Sequence, residues 1–327
     1  MKTQISILSR YGEVTTDRVI EYLDYLGKKN DQTICLGRLN SEDEIKKIFI
    51  RIDNKESSFL QGLVKTDVST ILLSDVQKGW YRRGHYNQKK ISVKSPQLTK
   101  TLLDESAHIN RFVDKHLCTI GGFFEEVENN KLENLYVARS IGLHIPTTII
   151  TSEKEELKKF FNSHHKIITK PIHNGHISYE ENGFKYISNG TQLITEENIE
   201  TLNARFGLSL FQQYIEKYIE LRVFYILGQI YAMAIFSQLD EQTSVDYRHY
   251  NEERQNRTVP FRFPPEIQIK IVELFERLDM KTGSADFILT KSGRYVFLEI
   301  NPTGQYGWVS KHCNYYINKR IAEALLN

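Results

Sequence analysis

The chain has 327 residues, 40% hydrophobic and 11% aromatic, enough apolar material for two or three packed domains rather than a disordered chain. Its 43 Lys and Arg against 41 Asp and Glu leave a net charge of +2, so composition argues for no nucleic acid and no membrane as partner. The three cysteines, Cys35, Cys118 and Cys313, are scattered, as expected of free thiols in the cytoplasm rather than of a disulfide framework or a zinc site.

The N-terminus turns polar too early for a signal peptide, and no run approaches the roughly 20 apolar residues of a membrane helix. Residues 4–8 (QISIL) read as a buried strand. Residues 14–26 carry Val19, Ile20, Leu23 and Leu26 at helical spacing, with Gly27 as the expected stop. Strands are expected at 33–36, 47–52 and 70–73, so residues 1–118 make a small α/β domain that ends in a helix over 98–118. Within it, Trp80-Tyr81-Arg82-Arg83-Gly84 sets two guanidiniums beside aromatics. That is either a solvated basic turn or a pair facing a domain interface or a phosphate.

A second segment, 119–207, opens with Asn130-Lys131 at the start of a helix over 132–141 that Gly142 ends. Then come a strand at 145–151 and a helix over 152–161 with a capping box, Ser152 and Glu155. Pro171 stops a strand at 166–170. Residues 172–190 hold Asn182-Gly183, a type I′ hairpin signal. They form either a lid whose backbone N–H groups face phosphate or an ordinary exposed loop. His173 and His176 lack a third ligand and read as loop histidines. A capped helix over 195–206 closes the segment.

The third segment, 208–327, contains strands at 208–215, 221–227 and 229–238 and a polar loop at 246–257. A helix over 264–278 begins at Pro264 and Pro265, and an amphipathic helix over 310–326 ends the chain. Between them, residues 284–290 and 295–300 form a hairpin. With Ser292-Gly293 as a two-residue turn, counting outward sets Asp286 opposite Glu299, and alternation puts Asn301 on the face of Glu299. Two facing carboxylates in an apolar hairpin repel unless a cation joins them. Carboxylate and amide oxygens are what Mg²⁺ prefers, whereas the bland alternative has one carboxylate in solvent and the other capping a turn.

A bound Mg²⁺ needs a polyanion, and two lysines are placed to hold phosphate. Lys131 starts a helix, where the dipole favours anions, and Lys170 ends an apolar strand; either is otherwise ordinary surface charge. Glu220 and Arg222 share one face of a strand. They are either an exposed salt-bridging pair or a carboxylate for a sugar hydroxyl beside an arginine for developing phosphate charge.

These residues carry a resemblance. Lys131 before its helix, ITKP around Lys170, QQYI at 212–215, ELR at 220–222, Asp286 and LEINP at 298–302 together resemble the ATP-grasp carboxylate ligases. WYRRG at 80–84, DYR at 246–248 and the run at 285–308 look more narrowly like the ATP-grasp ribosomal peptide maturases. These are the microviridin-type graspetide synthetases, including the grasp-with-spasm branch.

The resemblance implies an α/β ATP-grasp fold, with a pre-ATP-grasp domain before two lobes that hold ATP between them. It implies that ATP phosphorylates an Asp or Glu side chain of a ribosomal precursor peptide, and that a Ser or Thr hydroxyl or a Lys amine then displaces the phosphate. Lys131 and Lys170 would contact the nucleotide phosphates, and Gln213, Tyr214 and Ile215 would line the adenine pocket. Glu220 would bind ribose, while Asp286, Glu299 and Asn301 would hold Mg²⁺. Arg222 and Arg248 would face the transferred phosphoryl group or the acceptor carboxylate. Gln213 is a departure, since related ligases often have glutamate there. The partner is the precursor peptide, leader plus core, in the cytoplasm, and the sequence leaves room for a homodimer. The competing readings are an amino-acid ligase of the glutathione-synthetase or ribosomal-protein glutamate-ligase kind, and a non-catalytic peptide-binding module on the same shell.

Overall fold

The computed structural model describes residues 2–54, 60–89, 93–173, 178–187, 190–237 and 256–327. Strand Lys2–Ser9 is the middle of a three-stranded parallel sheet, between Thr33–Asn40 and Lys78–Tyr81. Helix Val14–Lys29 makes the crossover that parallel neighbours need. Its buried stripe of Val19, Leu23 and Leu26 belongs to the same core as Ile317, Ile321 and Leu325 of helix Ile317–Leu326. Gly27 does not stop the first helix. It lies inside it, where a Cβ would sit 2.6 Å from Ile34 Cδ1, so its role is to let the following strand close on the helix. Strands Lys47–Ile52, Leu60–Lys65 and Thr70–Leu72 form a separate antiparallel sheet, and helix Pro96–Leu117 starts at Ser95, which caps Leu98 N–H.

The middle of the chain builds a four-stranded antiparallel sheet in the order Gln192–Ile194, Ile167–Lys170, Arg205–Gln213, Thr148–Glu153. The expected capping box at Ser152 does not form. Pairing of Arg205 with Glu153 keeps that residue in the strand, and helix Lys154–His164 begins without a side-chain cap. The capping box occurs instead at Thr195 and Asn198. The helix it opens is only Glu196–Glu200, because Arg205 already starts a strand. The division expected at 207/208 falls inside Arg205–Gln213, a strand whose partners all belong to the middle sheet. Asn182 and Gly183, with φ of 52° and 78°, make the expected primed turn between Ser178–Glu181 and Phe184–Ile187. His176 lies outside the described residues.

The last segment is a five-stranded antiparallel sheet, Arg257–Phe261, Gln229–Phe236, Ile219–Ile226, Thr282–Leu289, Tyr295–Asn301. Ile219–Ile226 is central and buried along its whole length. Helix Pro265–Arg277 covers one face with Ile271, Leu274 and Phe275, the last stacked 4.2 Å from the Tyr225 ring. The expected single helix over 310–326 is two, Gly307–Cys313 and Ile317–Leu326. They are separated where Asn314 and Tyr316 take left-handed φ of 55° and 53°.

Candidate active site

The hairpin does bring Asp286 opposite Glu299, though by a different route. Its loop is one residue longer than expected. Leu289 pairs with Tyr295, Gly293 N–H bonds the Thr290 carbonyl at 3.0 Å, and Gly293 takes φ 81°, the pattern of a three-residue hairpin loop. That alone would shift every pair by one. A bulge between the Phe287–Phe297 and Asp286–Glu299 pairs leaves Leu298 without a partner and restores the register, so Ser284 then pairs with Asn301. The bulge also separates two roles. Phe297 is fully buried against Phe287, while Glu299, two residues on, lines a cleft; regular alternation would have put both on one face.

That cleft lies between the four- and five-stranded sheets and is spanned by residues 214–218. Lys170, Gln213, Tyr214, Ile215, Glu220, Asp286 and Glu299 all line it, with Pro146, Ile168, Ile288 and Leu298 as its apolar walls. Lys170 Nζ and Lys131 Nζ both stand 3.8 Å from Glu299 Oε2, and Lys131 also donates to the Pro171 carbonyl at 3.1 Å. Two residues 39 positions apart in sequence thus converge on one carboxylate. Asp286 has a different cation: Arg222 Nη1 donates to its two oxygens at 2.8 and 2.6 Å across the paired strands. The exposed salt-bridging face does not occur, since Arg222 is only 5% exposed.

At the other end, Glu220 Oε1 accepts from Lys217 Nζ and from Ser237 Oγ, the latter at 2.6 Å, and all three side chains are buried. Sequence reasoning missed Lys217 and Ser237, because a lysine between two strands usually points to water. Gln213 N–H donates to the Thr147 carbonyl at 2.9 Å and Tyr214 N–H to the Lys166 carbonyl at 3.0 Å. Lys166 Nζ sits 3.9 Å from the centre of the Tyr214 ring. Burial, then the nearby Glu216 and Glu220, push the Tyr214 phenol above its usual range.

Asn301 ends its strand exposed, next to the cleft rather than among its lining residues. Its Oδ1 accepts from Thr303 Oγ1 at 2.9 Å and from Gly304 N–H at 3.3 Å. Arg248 lies outside the described residues. Arg82, from the WYRRG run, is no solvated turn. It is 3% exposed and donates to Thr15 Oγ1 at 2.8 Å and to the Thr303 carbonyl at 2.9 Å, which resolves that run as an interface between chain segments.

Among the described residues no group of three or more His, Cys, Asp or Glu is arranged to hold a metal. At the hairpin, the oxygens that could hold a metal are those of the Asp286 and Glu299 carboxylates and the Asn301 amide. Such a set fits Mg²⁺, which takes few protein oxygens and completes its shell with water and phosphate. Each carboxylate already faces a cation, so the pair is held close despite its like charge.

No family model matches the chain, and no curated protein matches it. Solved structures do. The RiPP-associated ATP-grasp ligase of Chryseobacterium gregarium, in complex with ADP and a leader and core peptide, superimposes with a TM-score of 0.82 at 24% identity, covering 99% of this chain and 96% of that one. The fold is ATP-grasp. Macrocyclase MdnC of Microcystis aeruginosa MRC, bound with precursor peptide MdnA, matches this ATP-grasp chain with a TM-score of 0.77 at 25% identity, over 99% and 100% of the two chains. The ATP-grasp ligase PsnB, complexed with a phosphomimetic variant of its minimal precursor, Mg and ADP, matches with a TM-score of 0.69 at 15% identity, over 99% and 98%. The likeness in backbone covers 99% of the chain, and so takes in the residues before Trp80, which carry none of the motifs.

Proposed function

We propose that this ATP-grasp chain is an ATP-dependent peptide macrocyclase that joins Asp or Glu side chains of a precursor peptide to Ser or Thr hydroxyls, or to Lys amines. The observation that carries the proposal is the convergence of Lys131 and Lys170 on Glu299, beside the Arg222–Asp286 pair, in a cleft whose far end holds Glu220. Cations and carboxylates so arranged suit a nucleotide triphosphate with its metal. The precursor peptides bound to the solved neighbours support a peptide as the acceptor.

The residues take the following parts. Lys131 and Lys170 neutralise and orient the phosphates. Glu220, held by Lys217 and Ser237, accepts hydrogen bonds from ribose, and the walls around Gln213, Tyr214 and Ile215 receive adenine. Asp286, Glu299 and Asn301 would hold Mg²⁺, which would offset charge on the phosphates as the terminal phosphoryl group is transferred. A substrate carboxylate oxygen attacks the terminal phosphorus and the bond to the bridging oxygen breaks, releasing ADP. The peptide's own hydroxyl or amine then attacks the acyl carbonyl, phosphate departs, and the nucleophile's proton passes to solvent. Arg222 and Arg248 are assigned to the charge that develops on the transferred group. No protein nucleophile is required, since such chemistry depends on positioning and charge stabilisation. Among the described residues no helix is long and apolar enough to cross a membrane.

The test is mass spectrometry of the precursor encoded beside the enzyme after incubation with ATP and Mg²⁺. Loss of one water per bond, with ADP formed in proportion, is expected. A gain of one amino-acid residue would replace this reading with the amino-acid ligase.

A further inference from the structure

The turn after the metal strand is held from outside the sheet. Thr303 Oγ1 lies 2.9 Å from Asn301 Oδ1 and 3.0 Å from Glu126 Oε1, and Glu126 in turn accepts from the Tyr81 hydroxyl. The Thr303 carbonyl accepts from Arg82, whose guanidinium also lies 5.2 Å from the centre of the Tyr306 ring. Before Asn301, the Ile300 carbonyl accepts from Asn129 Nδ2 at 3.1 Å, and Asn129 is steadied by buried Asn134 at 2.8 Å. Gly304 closes the turn at φ 41°, where a Cβ would sit 2.5 Å from Ser284 Oγ, so the backbone has little room to relax. Residues from 81 to 134 therefore grip both sides of Asn301, the one proposed ligand that its own strand leaves exposed.

We propose that Thr303 is a positioning residue: its single hydroxyl proton, shared between Asn301 Oδ1 and Glu126 Oε1, fixes the side-chain oxygen of Asn301 for the cation shared with Asp286 and Glu299. The inference rests on reading those three residues as Mg²⁺ ligands. A hydrogen bond to a ligand atom limits the rotations it must give up on binding metal, and outer partners of this kind typically alter metal affinity by about 10–100-fold.

Wild type, Thr303→Val and Thr303→Ser are each titrated with Mg²⁺ in the presence of ADP and followed by calorimetry. The titration is repeated with Mn²⁺ and followed by its EPR signal. Valine keeps the shape and serine keeps the hydroxyl. The valine variant is expected to need about 10-fold more of either cation, with its cation-free ADP affinity unchanged, while serine restores most of the loss. A valine variant that titrates like wild type overturns the inference. So does a serine variant as impaired as valine, because the methyl group and not the hydroxyl would then matter. A wild type whose ADP binding ignores both cations overturns the metal assignment beneath it.

Discussion

The protein handles buried carboxylates in two opposite ways. In the cleft, Glu220, Asp286 and Glu299 each face a cation from another position: Lys217, Arg222, and the two lysines 131 and 170. Behind it, at the junction of helices Pro96–Leu117 and Phe123–Val127, Asp114 is held by neutral donors, and Glu125 has a buried Oε2 with no hydrogen-bond partner among the described residues. Asp114 accepts from the Tyr86 hydroxyl at 2.6 Å and from Phe123 N–H at 3.3 Å. Burial first, then the charges of Asp114 and Asp279, push the Glu125 carboxyl up to about 7. Desolvation penalises the charged form, and a paired cation is what offsets it. The first group has such a cation beside each carboxylate. The second is built to resist ionisation.

The largest effects should come from the cleft. Asp286→Ala or Glu299→Ala is expected to lower ATP turnover by about 10³-fold, measured as ADP release, because a transition-state charge stabiliser is lost. Retention of turnover would make the hairpin carboxylates structural, like Asp114. Lys217→Met should leave Glu220 with a weakened set of partners and cost on the order of 3 kcal/mol in a denaturant titration, since a buried charge loses its nearby cation. Little change would move the Lys217–Glu220 pair out of the first class.

A further contrast lies within the lysines. Lys170 is the less exposed of the two, 10% against 19% for Lys131, so Lys170→Met should raise the KM for ATP more than Lys131→Met does. Equal effects would make the two interchangeable point charges.

The smallest effect distinguishes the second group by its pH dependence. Glu125 holds its proton in the folded state up to about 7, whereas its ordinary value is 4.5. The native state therefore binds more protons than the unfolded state between those values, and stability falls as pH rises through them. Glu125→Gln should match wild type near pH 4 and melt at a higher temperature at pH 8. A variant whose stability relative to wild type is the same at both would show that the carboxyl ionises alike in the folded and unfolded states.

Much of this could be read from the residues. Apolar runs and their punctuation locate the strands of the central sheets, and the Glu-x-Asn pattern with its facing Asp singles out the two hairpin carboxylates that line the cleft. Asn182-Gly183 formed its turn because both residues tolerate positive φ. What stayed hidden depended on distant partners. Ser152 and Glu155 had the composition of a capping box, but pairing with Arg205 holds Glu153 in a strand. Leu60–Lys65 and Arg257–Phe261 show too little alternation to stand out and become strands through their neighbours in the sheets. Nothing local distinguishes Lys217 or Arg82 from surface cations; burial by other segments makes them what they are.

The unpaired Leu298 bears on how tolerant the hairpin is to drift. The surplus residue could instead be accommodated at the tip, as a two-residue turn at Ser292-Gly293, and Asp286 would still meet Glu299. The choice between the two arrangements falls to Phe297 and Leu298, which compete for one core position beside Phe287. The aromatic contact, with ring centroids 5.4 Å apart, favours Phe297 there. Exchanging the two side chains would send the surplus residue toward the tip and leave the paired acids in place.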